Sequence, residues 1–150
     1  MRIRVIGVGN LDRGDDGAGR AVARRLRATE LKGIEVAEQE GEATSLLNQF
    51  EGADLVYLVD ACLSGAPAGA IHRFDAAAAP LPGKIANFSS HGFGLAAAVE
   101  LARTLGALPP RCIVYAIEGE NFAVGVHLSG AVQTAVETVT AELISLISRQ

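Results

Sequence analysis

A chain of 150 residues with 49% apolar and 20% charged side chains can bury a core as one domain spanning residues 1–150, and is too apolar to be disordered. Its net charge of −4 comes without the basic stripe of a nucleic-acid binder, and no apolar run approaches the ~20 residues that cross a bilayer. Cys62 and Cys112 form neither a CxxC pair nor a metal-ligand spacing, so no disulfide framework is expected and a reducing cytoplasm fits.

Met1 to Ile6 alternates charged and apolar residues and reads as a strand, not a signal peptide. Ile3 to Val8 continues into glycine as a buried first strand. Asp15 or Asp16 then caps a helix whose apolar stripe is Ala18, Ala21, Val22 and Leu26. Arg20, Arg24, Arg25 and Arg27 fall on its polar side and read as a solvated face. After Gly33, Ile34 to Ala37 is a weaker strand, and Thr44 to Phe50 a short helix burying Leu46, Leu47 and Phe50.

Leu55 to Val59 is apolar on both faces, as a central strand covered by helices on each side should be. Ser64 to Gly69 is a turn. Ala70 to Phe74 follows too closely for a parallel crossover, so it runs antiparallel or at an edge. Ala76 to Gly83 is a loop. The helix after His91 turns Leu95, Ala98, Val99, Ala102 and Leu105 inward and stops at Gly106. Cys112 to Ile117 is another strand, and Ser129 caps a terminal helix with Val132, Val136, Val139, Leu143 and Ile147 inward. The alternation is that of a parallel βαβαβ domain. With the apolar stripes turned inward, a monomer is expected.

Three separated positions carry metal-type ligands at strand ends or helix starts: Asp16, Asp60 and His91. In an open α/β sheet such positions converge at the carboxyl ends of the strands, and two carboxylates with an imidazole suit a borderline divalent metal. Asp60 ends an apolar strand, where a carboxylate is costly unless hydrogen-bonded or bound to a cation. His91, behind Ser89 and Ser90, stands at a helix start, whose dipole favours the neutral, metal-binding imidazole. Asp15 reads as a cap, and His72 and His127 have no partner signal. Cys62 reads as a small buried residue. Glu118 and Glu120 follow the last strand and shape the cleft or hold its loop. Gly7-Val8-Gly9 hints at a dinucleotide loop, but the third glycine slot holds Asp12 and the helix opens with two acids that repel phosphate.

Gly7-Val8-Gly9-Asn10, Gly14-Asp15-Asp16-Gly17-Ala18-Gly19, Val59-Asp60-Ala61, Ser90-His91-Gly92 with Gly94-Leu95, and Ile117-Glu118-Gly119, in that order, resemble the [NiFe]-hydrogenase maturation endopeptidases. The resemblance spans nearly the whole chain, including Gly125 to Val132. It implies a three-layer α/β/α sandwich around a mostly parallel five-stranded sheet. It implies removal of a carboxy-terminal extension from the hydrogenase large-subunit precursor once nickel is inserted. Asp16, Asp60 and His91 occupy the positions of the nickel-contacting set. The nickel is expected to arrive with the substrate, with zinc or cadmium as its expected replacements in vitro. The sequence departs from the family at Glu40-Gly41-Glu42-Ala43-Thr44, where members often carry a Gly-Gly-Thr type turn linked to precursor recognition.

Such a metal could anchor the substrate, polarise the scissile carbonyl or supply hydroxide. With no Ser-His-Asp or Cys-His pair evident, water is the expected nucleophile. A small-molecule metallohydrolase on the same scaffold, or a non-enzymatic nucleotide-binding module, are the rival readings.

Overall fold

Strands β1 (Ile3–Val8), β2 (Ile34–Gln39), β3 (Leu55–Cys62), β4 (Ile71–Asp75) and β5 (Arg111–Glu118) form one sheet in the order β2-β1-β3-β5-β4. The computed structural model describes residues 1–40, 42–83 and 95–150. β1 pairs in parallel with β2 and β3, and β3 with β5, while β4 runs antiparallel along β5 at the sheet edge. The expected mostly parallel α/β architecture is the one found.

Among the described residues four helices cover the sheet: α1 (Ala18–Ala28), α2 (Ala43–Phe50), α3 (Leu95–Leu105) and α4 (Gly130–Ser148). Strand alternation sorts them into two outer layers. Val5, Tyr57, Val59, Ile113 and Tyr115 face Val22 and Leu26 of α1 and Val132, Val139 and Leu143 of α4. Ile6, Val56, Leu58 and Val114 face Leu46 and Phe50 of α2 and Leu95, Val99 and Ala102 of α3. Central parallel strands buried on both faces therefore read as continuous apolar runs. Among the described residues, no helix is long and apolar enough to cross a membrane.

α1 lies unusually close to the sheet. A Cβ on Gly19 would stand 2.1 Å from the Val59 carbonyl oxygen and 2.6 Å from that of Val8. Only glycine allows this approach, so Gly19 of α1 and Gly7 of β1 serve helix–strand packing.

Several boundaries and contacts differ from the sequence reading. Residues 14–17 form a separate 3-10 turn, α1 starts at Ala18, and neither Asp15 nor Asp16 caps it; Gly17 holds that position. Ser129 does precede α4, but its side chain does not cap that helix and donates to Asp15 instead. β3 runs on to Cys62, so Asp60 belongs to the strand. Leu105 is exposed in the last turn of α3.

The arginines of α1 are not simply solvated. Arg20, Arg24 and Arg27 converge on Glu38 of β2 at 3.0, 3.0 and 2.6 Å, and Arg25 approaches Glu137 at 3.7 Å. Burial alone would raise the Glu38 pKa, but hydrogen bonds from Arg27, Arg24 and Arg20 win and bring it from 4.5 to about 2. A carboxylate with a depressed folded pKa stabilises above its unfolded pKa, and this contribution fades as pH falls towards the folded value. Glu38→Gln is expected to cost about 1–2 kcal/mol at neutral pH after allowance for screening. In urea melts followed against pH, its deficit should shrink as pH drops below 4.5 towards 2.

Candidate functional site

β1 hands the chain to β2 on one side, while β3 lies on its other side, so the strand order reverses between β1 and β3. The crevice at the carboxyl ends of such a pair is where open α/β sheets hold ligands. Two acids meet there. Asp16 arrives on the 3-10 turn that follows β1, and Asp60 near the end of β3.

Both are fully buried. The Asn10 amide donates to Asp16 Oδ2 at 3.2 Å, and the Ala61 amide donates to Asp60 Oδ1 at 2.7 Å. Gly9 lies between the two acids at φ +141°. A Cβ there would stand 1.9 Å from the Asp16 carbonyl oxygen and 3.8 Å from Asp60 Oδ1. Any other residue would push the Asp16 turn away from the strand.

Among the described residues Asp60 Oδ2 has no hydrogen-bond partner, an expensive condition for a fully buried carboxylate. Burial first, and then the charge of Asp16, drive the Asp60 pKa well above the usual carboxylate range, against the opposing Ala61 amide. Buried acids in this position either keep a proton or neutralise their charge on a cation. The donor set, with one carboxylate oxygen still to be satisfied, fits a divalent ion.

His91 lies outside the described residues. α3, described from Leu95, packs on the sheet face that Val56, Leu58 and Cys62 share, and by strand alternation Asp60 belongs to that face.

Asp15 serves a different purpose from its neighbour. Its buried carboxylate accepts from the amides of Glu120 (2.9 Å), Asn121 (3.1 Å) and Ser129 (2.7 Å) and from Ser129 Oγ (3.0 Å). It ties the acidic turn to the loop after β5 and to the start of α4. Glu120 and His127 are exposed.

Glu118 is the group that sequence reasoning undervalued. Its Oε1 accepts from Ser64 Oγ (2.5 Å) and the Cys62 thiol (3.4 Å) and lies 3.2 Å from His72 Nε2, while Oε2 accepts from the Ser64 amide at 2.7 Å. Burial opposes ionisation, but the Ser64, His72 and Cys62 contacts prevail and lower the Glu118 pKa. His72 thus has a partner after all, and Cys62 is more than packing. The signal was present: Glu118 follows the apolar run Cys112 to Ile117 as Asp60 follows Leu55 to Val59. Burial, followed by the Glu118 charge, pushes the Cys62 thiol far up, so it is no nucleophile.

This arrangement, an open doubly covered sheet with paired acids at its switch point, is that of an α/β domain with a ligand-binding crevice at its carboxyl edge. A family model described as HycI, hydrogenase maturation protease, matches residues 21–146. The chain belongs to the hydrogenase maturation protease family and is a maturation endopeptidase, a peptide-bond hydrolase. Among solved structures, the [NiFe] hydrogenase maturation protease HycI from Thermococcus kodakarensis KOD1 is 21% identical with a TM-score of 0.78, over 98% of this chain and 92% of that one. The hydrogenase maturating endopeptidase HybD from E. coli is 19% identical with a TM-score of 0.78, over 99% and 93%. HybD from Thermococcus kodakarensis is 23% identical with a TM-score of 0.72, over 97% and 99%. These likenesses establish the fold. No curated protein gives a significant match.

Proposed function

We propose that this endopeptidase removes the carboxy-terminal extension of a [NiFe]-hydrogenase large-subunit precursor after nickel insertion, with Asp16, Asp60 and His91 contacting the substrate-borne nickel. The observation that carries the reading is the buried acid pair, with Asp60 Oδ2 lacking a partner among the described residues. A cation delivered by the substrate would satisfy that oxygen and relieve the repulsion between the two carboxylates. Requiring the ion to arrive with the precursor would make cleavage depend on completed metal insertion. Water is the nucleophile in this reading, because the Cys62 thiol is buried and held protonated. The enzyme acts as a cytoplasmic monomer.

Precursor recognition is assigned to the rim beside β2. Arg20, Glu38, Gln39, Glu40, Glu42 and Ser45 line a polar cavity of about 390 Å³ there. It includes described residues of the stretch where the sequence departs from the family turn.

The test is incubation with nickel-loaded and nickel-free large-subunit precursor, followed by mass measurement. Loss of the extension from the loaded precursor alone is the expected result. Equal processing of both forms would remove the nickel-reading role, and processing of neither would reject the substrate.

A further inference from the structure

The three strands at one side of the sheet place a second set of donors on a single face. Register sets Cys62 of β3 directly opposite Glu118 of β5, and His72 of β4 opposite Ala116, one diagonal step from Glu118. The side chains meet as the register requires. Cys62 Sγ lies 3.4 Å and His72 Nε2 3.2 Å from Glu118 Oε1, and all three donor atoms fall within 4.8 Å of one another.

We propose that Cys62, His72 and Glu118 form a second, structural site for a borderline divalent cation of the zinc class. Three arguments carry it. First, zinc bonds of ~2.0–2.3 Å in a tetrahedron set ligand-to-ligand edges of ~3.3–3.8 Å. Two of the three edges already stand near that range, so the ion enters with small side-chain adjustments. Second, sulfur, imidazole nitrogen and carboxylate oxygen form a donor set that selects zinc and its neighbours over magnesium or calcium. Third, one thiolate and one carboxylate neutralise a divalent ion, which suits a place where Cys62 and Glu118 are buried.

On binding, the Cys62 S–H bond breaks, its proton leaves to solvent and a sulfur–metal bond forms. His72 changes tautomer, its Nε2 proton leaving to solvent while Nδ1 takes one up from solvent, and the freed Nε2 lone pair binds the ion. Glu118 Oε1 turns from these two donors to the ion, while Oε2 keeps the Ser64 amide, a bond that orients the ligand. The His72 side chain is 23% exposed, which leaves a coordination position for water. The ion would clamp the edge strand β4 and the Ser64–Ala70 turn to β3 and β5. The donor set is distinct from Asp16 and Asp60.

The experiment is a titration of the chelator-treated protein with cobalt(II). A thiolate-to-cobalt charge-transfer band saturating at one equivalent, bleached by zinc and accompanied by a rise in melting temperature, is expected. Cys62→Ser and His72→Gln should lose the band, while Asp16→Asn and Asp60→Asn keep it. Absence of the band in the wild-type protein, or its survival in Cys62→Ser, would overturn the site. X-ray absorption of the zinc-loaded wild-type protein decides without any variant. One sulfur at ~2.3 Å supports the site, and a shell of oxygen and nitrogen alone refutes it.

Discussion

Asp60→Asn is expected to lower cleavage of the nickel-loaded precursor by at least ~10²-fold while leaving the fold no less stable than the parent. The carboxylate sits fully buried beside Asp16, and its protonation preference comes from burial and from that neighbouring charge. An asparagine has nearly the same shape. Its oxygen can keep the Ala61 amide, and its NH₂ can donate where the acid met a like charge. What it loses is the negative charge that would hold a cation or accept a proton from water. Mass measurement of the precursor and a thermal melt of the variant separate the two effects. Wild-type cleavage by Asp60→Asn would remove this residue from the site, and a collapsed melting temperature would make it structural.

Asp15→Ala should do the opposite, costing about 3–5 kcal/mol of folding stability in urea melts. The deletion strips the acceptor from three backbone amides and one hydroxyl, donated by Glu120, Asn121 and Ser129. Hydrogen bonds to a charged group are worth more than neutral ones, and donors left without an acceptor are costly. Asp15→Asn should fall between, since one oxygen remains but an NH₂ now meets donors. A loss below ~1 kcal/mol for the alanine variant would show that water replaces the carboxylate without penalty. Two adjacent aspartates would then have been assigned different tasks without cause.

The fold was largely legible because the central strands carry their burial openly. Leu55 to Val59 and Cys112 to Ile117 are apolar on both faces, and the short link before Ile71 forbids a parallel crossover. The inward stripe of α4, Val132 to Ile147, is also as expected. Helix starts were harder to place. An aspartate before a helix looks like a cap whether its oxygens reach the next turn or a loop more than a hundred residues away, and periodicity carries no long-range information. Asp16 and Asp60 were visible as acids where the chain should be apolar, and the sheet order brings them together. The His91 assignment lies outside the described residues. The Cys62–His72–Glu118 grouping depends on strand register across β3, β5 and β4, which spacing along the chain does not encode.

The bonds from Ser129 to Asp15 have a consequence for how the enzyme comes into being. They join positions 114 apart in the chain, so the loop carrying Asp16 gains two of its neighbour's anchors only when the last helix is in place. Contacts of such long range form after local ones, because closing the intervening chain costs entropy first. A nascent polypeptide still lacking its terminal segment therefore holds the Asp15–Asp16 turn by fewer bonds, and removing that segment should loosen the turn.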